Sequence, residues 1–582
     1  MTAVKRPPFD SLLAPAGAPL RIRPNRWDWI ALPILLGVVV AVIQGARQMA
    51  GPLETVTQTP ISLEPRSLPG YALLTTLRMF IAMAASLVFT FVYGAAAARS
   101  RRLERVLIPI LDILQSVPVL GYLSFSVIFF MALFPGRALG MELVAIFAIF
   151  TSQAWNMAFS FYQSLRTIPE DLQEAARSFR LTGWLRFWRL DVPFAMPGLV
   201  WNIMMSMSGG WFFVVASEAI SVGGQEVFLP GVGSYVAVAI ARSDMTAIIY
   251  AITAMFVVIV LYDQLLFRPF VAWSSRFSVE QIEAERVPQS WMLLLFRQAQ
   301  ALRRLMQPVG AIGRRIITIG APASDPSPPR TSRNEALRDI VWRLVVGIAL
   351  VATSWALVDF LRDGIAWVDI RETVILGLFT LGRVVVLIAV ASIIWVPVGV
   401  YVGRRPSLAE KVQPLIQILA AFPANLLFPF FVMAIVRYQL NPAIWLSPLM
   451  ILGTQWYILF NVIAGTLAFP EDLNQASRNL GVRGWLWWKN VMLPGIFPYY
   501  VTGAITASGG SWNASIVAEI ASWGDTTLVT RGLGAYIQQV TTLGDYPRIV
   551  LGIAVMSAYV VLFNRAVWRP LYAFAERRLR VG

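Results

Sequence analysis

"PEDLQEAARSFRLTGWLRFWRLDVPFAMPG" occupies residues 169–198, and "PEDLNQASRNLGVRGWLWWKNVMLPGIFPY" occupies residues 470–499. Both are polar, bounded by proline and set in a strongly apolar chain. Proline followed by Glu-Asp suits the positive end of a helix dipole, and Gly183 or Gly484 about a turn past the helix end would permit a reversal. Each copy therefore reads as a short amphipathic helix, a turn and a second aromatic helical piece ending at Pro193 or Pro494.

The chain around them is 582 residues long, 57% hydrophobic and only 14% charged, too apolar for a soluble enzyme of this length. It reads as an all-α integral membrane protein. The absence of cysteine and histidine removes disulfides, thiol nucleophiles, the usual zinc ligands and the one side chain that titrates near neutrality unperturbed. No metal site is expected. The net charge of +16 would suggest nucleic acid in a soluble protein, but here arginines fall between apolar spans, where they orient the chain in the bilayer.

Apolar stretches of about 20 residues, the length that crosses a hydrocarbon core, occur six times in each half of the chain. In the first half they lie near 28–45, 71–98, 107–134, 141–165, 196–220 and 245–268; in the second, near 338–358, 373–402, 412–437, 444–467, 496–521 and 547–567. Pro118 and Pro423 are expected to kink or break the third span of each half. The arginine-rich segments, including the N-terminal tail, 99–105, the Pro169 segment and the C-terminal tail, are expected in the cytoplasm. Loops near 47–70, 221–244 and 359–372 are poorer in arginine and are expected outside. Both termini are then cytoplasmic, and the apolar run at 29–43, without a small-residue cleavage site, is expected to be a retained span.

The duplication covers almost all of each half. Pro169 and Pro470, Gly183 and Gly484, Trp211 and Trp512, Glu218 and Glu519, and Gly233 and Gly534 all stand 301 positions apart. Upstream, Arg78 and Arg383, Pro109 and Pro414, and Pro118 and Pro423 stand 305 apart, so a short outer loop changed length between the two registers. Six spans per half make the repeats parallel, with the space between them the natural solute path. The expected organisation is a cytoplasmic tail at 1–27, a first half at 28–268, an amphipathic helix and Pro/Ser-rich linker at 269–335, and a second half at 336–582.

"EAARSFRLTGWLRFWRLDVPFAMPG" resembles the EAA loop of binding-protein-dependent ABC importer permeases: Glu-Ala-Ala, a glycine nine residues on, then a hydrophobic-x-Pro ending. Glu174, Ala175, Ala176 and Gly183 match the motif, and Gln475, Ala476, Ser477 and Gly484 hold the same places in the second copy, which departs at the Glu and at one Ala. The second spans, the Pro-broken third spans and the Glu-bearing ends of the fifth spans are similar to the nitrate/sulfonate/taurine/bicarbonate branch of that family. The resemblance implies a type I ABC importer permease fold of two tandem six-helix halves, about 12 transmembrane helices in a bacterial inner membrane, with the halves fused where the branch usually pairs two chains. It also implies two ABC ATPase subunits in the cytoplasm, each receiving one loop, and an external solute-binding protein. The unequal motif residues imply two dockings that need not be equivalent.

No Walker loop is present. The only lysines, Lys5, Lys411 and Lys489, follow Val, Glu and Trp, so no Gly-Lys pair can hold phosphates. The chain is expected to be no enzyme and to bind no cofactor, with ATP and Mg on the partner ATPases. Arg78 and Arg383 lie inside the second spans, where a charge is costly unless it is paired or faces water; they either steer an anion or form structural ion pairs, with Glu218 and Glu519 as partners. "SMSGGW" at 206–211 and "SGGSWN" at 508–513 either pack helices closely or line a gate. These stretches nominate Ser208, Trp211, Ser508, Ser511 and Trp512 for the pathway, and Gln115, Ser116, Gln153, Asn425 and Gln455 are further polar candidates. Trp27, Trp29, Trp184, Trp485, Trp487 and Trp488 are read as interface anchors.

The expected function is a permease subunit moving a small solute, an anion such as nitrate, sulfonate or bicarbonate, by alternating access. The alternatives are a twelve-helix secondary transporter, or a membrane scaffold without transport. The former would need intramembrane carboxylates and a Gly-Asp-Arg signature between spans two and three, where the chain reads "ARSRRLER" and "VGRRPSLAEK". Membrane lipid is the only other partner expected, and nucleic acid is not.

Overall fold

The computed structural model describes residues 25–53, 60–222, 225–274, 277, 290–305, 307–318, 332–362 and 364–578. Most of the tail at 1–27 and the Pro/Ser-rich stretch of the linker lie outside these residues. The described chain is helical nearly throughout, with two short antiparallel hairpins. It forms two compact units, one from residues 1–48, 160–204 and 261–340, the other from 49–159, 205–260 and 341–582.

Among the described residues, eight helices are long and apolar enough to cross a membrane, or up to ten if two sharply bent helix pairs each count as one span. Twelve spans were expected. The other two expected positions hold the Arg101–Ser116 and Gly121–Leu133 helices, and the Leu493–Ala518 helix. The first is interrupted at Pro118, and its opening turn is crowded with charge. The second carries a Gly/Ser/Thr-rich stretch that dilutes its hydropathy. In the second half the break at Pro423 bends Pro406–Ala421 against Ala424–Arg437 by 78°, as a proline that can neither continue nor donate to a helix requires.

In the first unit the Asp28–Met49 helix packs on the linker. Ala31, Met292, Leu295, Ala299 and Leu302 form one apolar cluster with Trp27, Ile34 and Leu35 against it. The buried Asp28 carboxylate accepts from the amides of Asn25 (2.9 Å), Ala301 (2.9 Å) and Leu302 (3.4 Å), and Asn25 Nδ2 donates to the Gln298 carbonyl at 2.7 Å. The amphipathic linker segment is therefore three short helices, Trp291–Gln298, Gln300–Leu305 and Gln307–Thr318, with Asp28 satisfying the free amides at the start of the second.

In the second unit the Trp367–Gly403 helix meets Gln455–Leu467 through glycines one turn apart. A Cβ at Gly399 would lie 2.6 Å from Val462, and one at Gly403 2.5 Å from Thr466. Small residues four apart let backbones approach to a distance that larger side chains forbid. The segment at 221–244, expected to be an outer loop, is folded over its described residues, and the segment around 524 repeats it. Ala219–Val222 pairs with Gln225–Phe228 and Ile520–Trp523 with Thr526–Val529 as hairpins, each followed by a short helix, Val232–Ala241 or Leu533–Leu543.

π-helical turns recur at duplicate positions, Phe187–Asp191 with Trp488–Met492 and Asp263–Phe267 with Asn564–Trp568. The duplication thus preserves local irregularities as well as helices. Among the tryptophans read as anchors, Trp29 and Trp485 are largely exposed, but Trp487 is buried, with the Arg404 guanidinium 4.7 Å over its ring. That contact is a cation–π pairing.

Candidate functional site

The two copies of the repeated motif fold alike. Glu170–Ser178 follows Pro169 and Glu471–Asn479 follows Pro470, each with two acids in the first turn. The reversal comes earlier than Gly183 and Gly484. Arg180 (φ +46°) and Gly481 (φ +68°), duplicates of one another, take the left-handed conformation, and the next amide closes the turn, Leu181 N to Ala176 O at 3.1 Å and Val482 N to Ser477 O at 2.9 Å. A left-handed residue just past a helix end is what lets the chain satisfy the last carbonyls while turning. Gly183 opens the next helical piece behind a Thr182 cap, whereas Gly484 is itself left-handed at φ +57°.

Ala176 and Ser477 are buried under their helices; Glu174, Ala175, Gln475 and Ala476 are exposed. A Cβ at Gly183 or Gly484 would meet nothing within 4 Å. Sequence reading missed Phe179 and Leu480, which end the two helices at duplicate positions and are each 79% exposed. Their signal was an apolar residue kept in an otherwise polar motif.

Arg78 is fully buried. Its Nε and Nη2 donate to the Glu142 carboxylate at 2.6 and 2.7 Å, and Nη1 donates to Glu218 Oε1 at 2.7 Å and to the Pro230 carbonyl at 2.9 Å. Glu218 in turn accepts from the Gly233 amide at 2.6 Å, at the start of the Val232–Ala241 helix. A carboxylate at a helix N-terminus meets unpaired amides and the positive dipole end. A Cβ at Gly231 would overlap that carboxylate, so glycine is what allows the approach.

The second half repeats the arrangement with fewer charges. Arg383 Nη1 donates to Glu519 Oε1 at 2.8 Å, and Nη2 to the Arg531 carbonyl at 2.9 Å. Glu519 accepts from Gly534 and Ala535 amides at 2.8 and 3.1 Å, and Gly532 sits against it as Gly231 does against Glu218. No counterpart of Glu142 exists, because the sequence has no carboxylate between Glu410 and Glu471. Glu142 was overlooked at first; its signal was being the lone carboxylate between Asp112 and Glu170.

A cavity of about 280 Å³ lies inside the second unit, walled by both halves of the duplication. Gln115, Ser208, Ser508 and Trp512 line it, together with Asn156, Thr454, Tyr457, Asn513 and Asn564. Its only charged wall residue is Asp112, whose carboxylate takes a 3.0 Å bond from Arg569. Arg78, Glu218, Arg383 and Glu519 are instead in the ion-pair clusters. Gln153 and Trp211 are buried and do not line it, and Gln153 Nε2 lies 3.0 Å from the Met79 sulfur. Asn425 Nδ2 donates to the Phe212 carbonyl at 3.2 Å, Gln455 Oε1 accepts from Trp395 at 2.9 Å, and Ser511 bonds Thr454 at 3.1 Å. Ser116 ends the Arg101–Ser116 helix; its side chain lies outside the described residues.

The small-residue stretches pack closely and also border the cavity, and Gly510 does both. Ser208, Gly209, Ser508 and Gly509 line the cavity. Gly510 faces Thr454, and Gly210 faces Gln153 and Met79, each too closely for a Cβ.

Helices, a doubled polar motif and a cavity walled by both duplicated halves define a multi-pass membrane protein of permease type. The chain belongs to the family described as binding-protein-dependent transport system inner membrane component, which matches twice, at residues 90–268 and 395–581. It is 30% identical over 188 residues to the bicarbonate transport system permease protein CmpB of Synechococcus elongatus, a stretch covering 32% of this chain and 64% of that relative. It is 27% identical over 188 residues to the nitrate import permease protein NrtB of Leptolyngbya laminosa, with the same coverage. To the glycine betaine/carnitine transport permease protein GbuB of Listeria monocytogenes it is 30% identical over 185 residues, 31% of this chain and 58% of that one. The aligned stretches thus span less than two-thirds of these relatives.

Proposed function

We propose that this chain is the fused permease of an ATP-driven importer, carrying a small solute from an external binding protein into the cytoplasm by alternating access. The observation that carries this reading is the doubled docking motif. Two copies of one short helix and turn each expose an apolar end residue, and at Gly183 a side chain is missing that no neighbour in the chain forbids. An exposed glycine with room for a side chain, in the same motif as an exposed Phe179, fits a partner that comes close to the backbone. Two cytoplasmic ABC ATPase subunits, holding ATP and Mg, are that partner. Glu174, Ala175, Ala176 and Gly183 form one docking surface, and Gln475, Ala476, Ser477 and Gly484 the other.

The cavity is the proposed solute path. Its lining carries hydroxyls, amides and indoles but no arginine or lysine, so a solute would be held by neutral donors and aromatic faces and released readily. A volume of about 280 Å³ suits a small anion such as nitrate, bicarbonate or a sulfonate. The aromatic wall, with Trp155, Trp512 and Trp568, also favours a second reading, a compact quaternary ammonium zwitterion, since indole faces attract such cations. Arg78 and Arg383 have their charges spent on Glu142, Glu218 and Glu519 and act as structural ties.

The test is purification of the chain with its ATPase, reconstitution in nanodiscs, and ATP turnover with the external binding protein across nitrate, bicarbonate, taurine and glycine betaine. Stimulation by loaded binding protein with one of these solutes is expected. Failure of any ATPase to associate, or turnover indifferent to the binding protein, would remove the importer reading.

A further inference from the structure

Four of the cavity's lining stretches, followed in chain order, end at or next to residues that bond across the duplicated halves. Their last residues are Val119, just past the Pro118 break, Phe213, Ala424 just past Pro423, and Ala514. The helix that carries Ala514 continues from the Glu471–Asn479 docking segment through Gly484–Trp487 and the π-helical turn. Asn513 stands 20 residues beyond Leu493, about 30 Å along the axis at 1.5 Å per residue. Ala514 is therefore the lining residue of that helix farthest along its axis from the docking segment.

Two side-chain hydrogen bonds join the duplicated halves at these stretch ends. Asn513 Oδ1 accepts from the Val119 amide at 2.7 Å, and Asn425 Nδ2 donates to the Phe212 carbonyl at 3.2 Å. Phe212 and Asn513 are duplicates at the 301 spacing, and Leu120, next to Val119, is the duplicate of Asn425 at the 305 spacing. One pseudo-symmetric contact is thus made twice, and both amides belong to the second half. The first half contributes backbone only. Its Val119 amide lies in the break between helices that end at Ser116 and begin at Gly121, and a buried amide without a helical acceptor needs a partner.

We propose that Asn425 and Asn513 are a two-point latch that holds the far end of the solute path shut, so that this end opens only when both bonds part. The proposal rests on the cavity being that path. Asn513 is held in aim by its own Nδ2, which donates to the Gly509 carbonyl at 3.1 Å. Asn425 Oδ1 is buried with no hydrogen-bond partner among the described residues. A closed latch with an unsatisfied acceptor is easier to open than a fully bonded one, because opening to water restores the missing bond.

The chain has no cysteine, so Thr506→Cys in the cavity wall supplies a single thiol. The reconstituted complex with its ATPase, free of nucleotide, is exposed to a membrane-impermeant maleimide on the face opposite the Glu471–Asn479 docking segment. Labelling is expected to be slow with both asparagines present. Asn425→Leu with Asn513→Leu is expected to speed it about tenfold or more, the factor that two ordinary hydrogen bonds control.

A monodisperse double variant labelled at the parent rate would overturn the latch. Should that variant not fold, Asn425→Ala alone is read the same way: faster labelling supports the latch and an unchanged rate overturns it. Faster labelling in a complex that ignores its binding protein would leave the latch standing and sink the importer reading instead.

Discussion

Arg78 grips Glu142 through two parallel hydrogen bonds of 2.6 and 2.7 Å, and nothing in the second half takes Glu142's place beside Arg383. The two Arg–Glu ties are duplicates in position and unequal in chemistry. Arg78 is wholly buried between two carboxylates, while Arg383 keeps 14% of its side chain exposed and pairs with one. Breaking a buried, hydrogen-bonded charge cluster strands the remaining charges in a poor solvent. Arg78→Ala is accordingly expected to cost about 3–5 kcal/mol, and Arg383→Ala clearly less. Thermal unfolding of the two variants in the same detergent checks the order; equal losses would refute the asymmetry.

Gly183→Ala separates docking from folding. A Cβ there meets nothing in the chain within 4 Å, so the midpoint of thermal unfolding should not move. On the proposed docking surface it is expected to weaken ATPase association about tenfold, the factor for a loss of 1.4 kcal/mol. Gly183→Pro, which also alters the backbone, is expected to abolish uptake while the chain still inserts. Normal association in both variants would refute the docking assignment.

Phe179 and Leu480 are the apolar ends of the two docking helices. Truncating a central apolar contact to alanine commonly costs an interface more than 1 kcal/mol. Phe179→Ala and Leu480→Ala are each expected to lower ATPase affinity about tenfold, with little change in stability because both side chains are exposed. Titration of ATPase onto immobilised permease reads both effects, and the larger aromatic contact makes Phe179→Ala the more damaging.

The Gly399 and Gly403 approach is a packing feature with no part in docking. Gly403→Val would push a side chain into Thr466, which stands 2.5 Å from the position of the new Cβ. Overpacking of this kind costs about 1–3 kcal/mol. A lowered unfolding temperature is expected, together with unaltered ATPase affinity in the protein that remains folded.

Local chemistry made much of this protein legible before any fold was known. Span positions follow from apolar length, helix starts from Pro-Glu-Asp, the third-span breaks from Pro118 and Pro423, and the duplication from two constant spacings. The pairing of Arg78 with Glu218 and of Arg383 with Glu519 was readable too, since a charge inside a span demands a partner. These are properties of a residue and its neighbours along the chain, and the bilayer's intolerance of bare polar groups makes them strict.

Tertiary structure alone decided the rest. It set Glu142 against Arg78 across 64 residues and folded the supposed outer loops back as hairpins and capped helices. It packed the small-residue stretches closely along the cavity, and put the reversal at Arg180, where a long cationic residue in a left-handed conformation gives no local warning. It also set Asn513 beside the Val119 amide, 394 residues away. Each of these depends on which faces of distant helices meet, and the energy of that choice is spread over many packed side chains. No short stretch of sequence contains it.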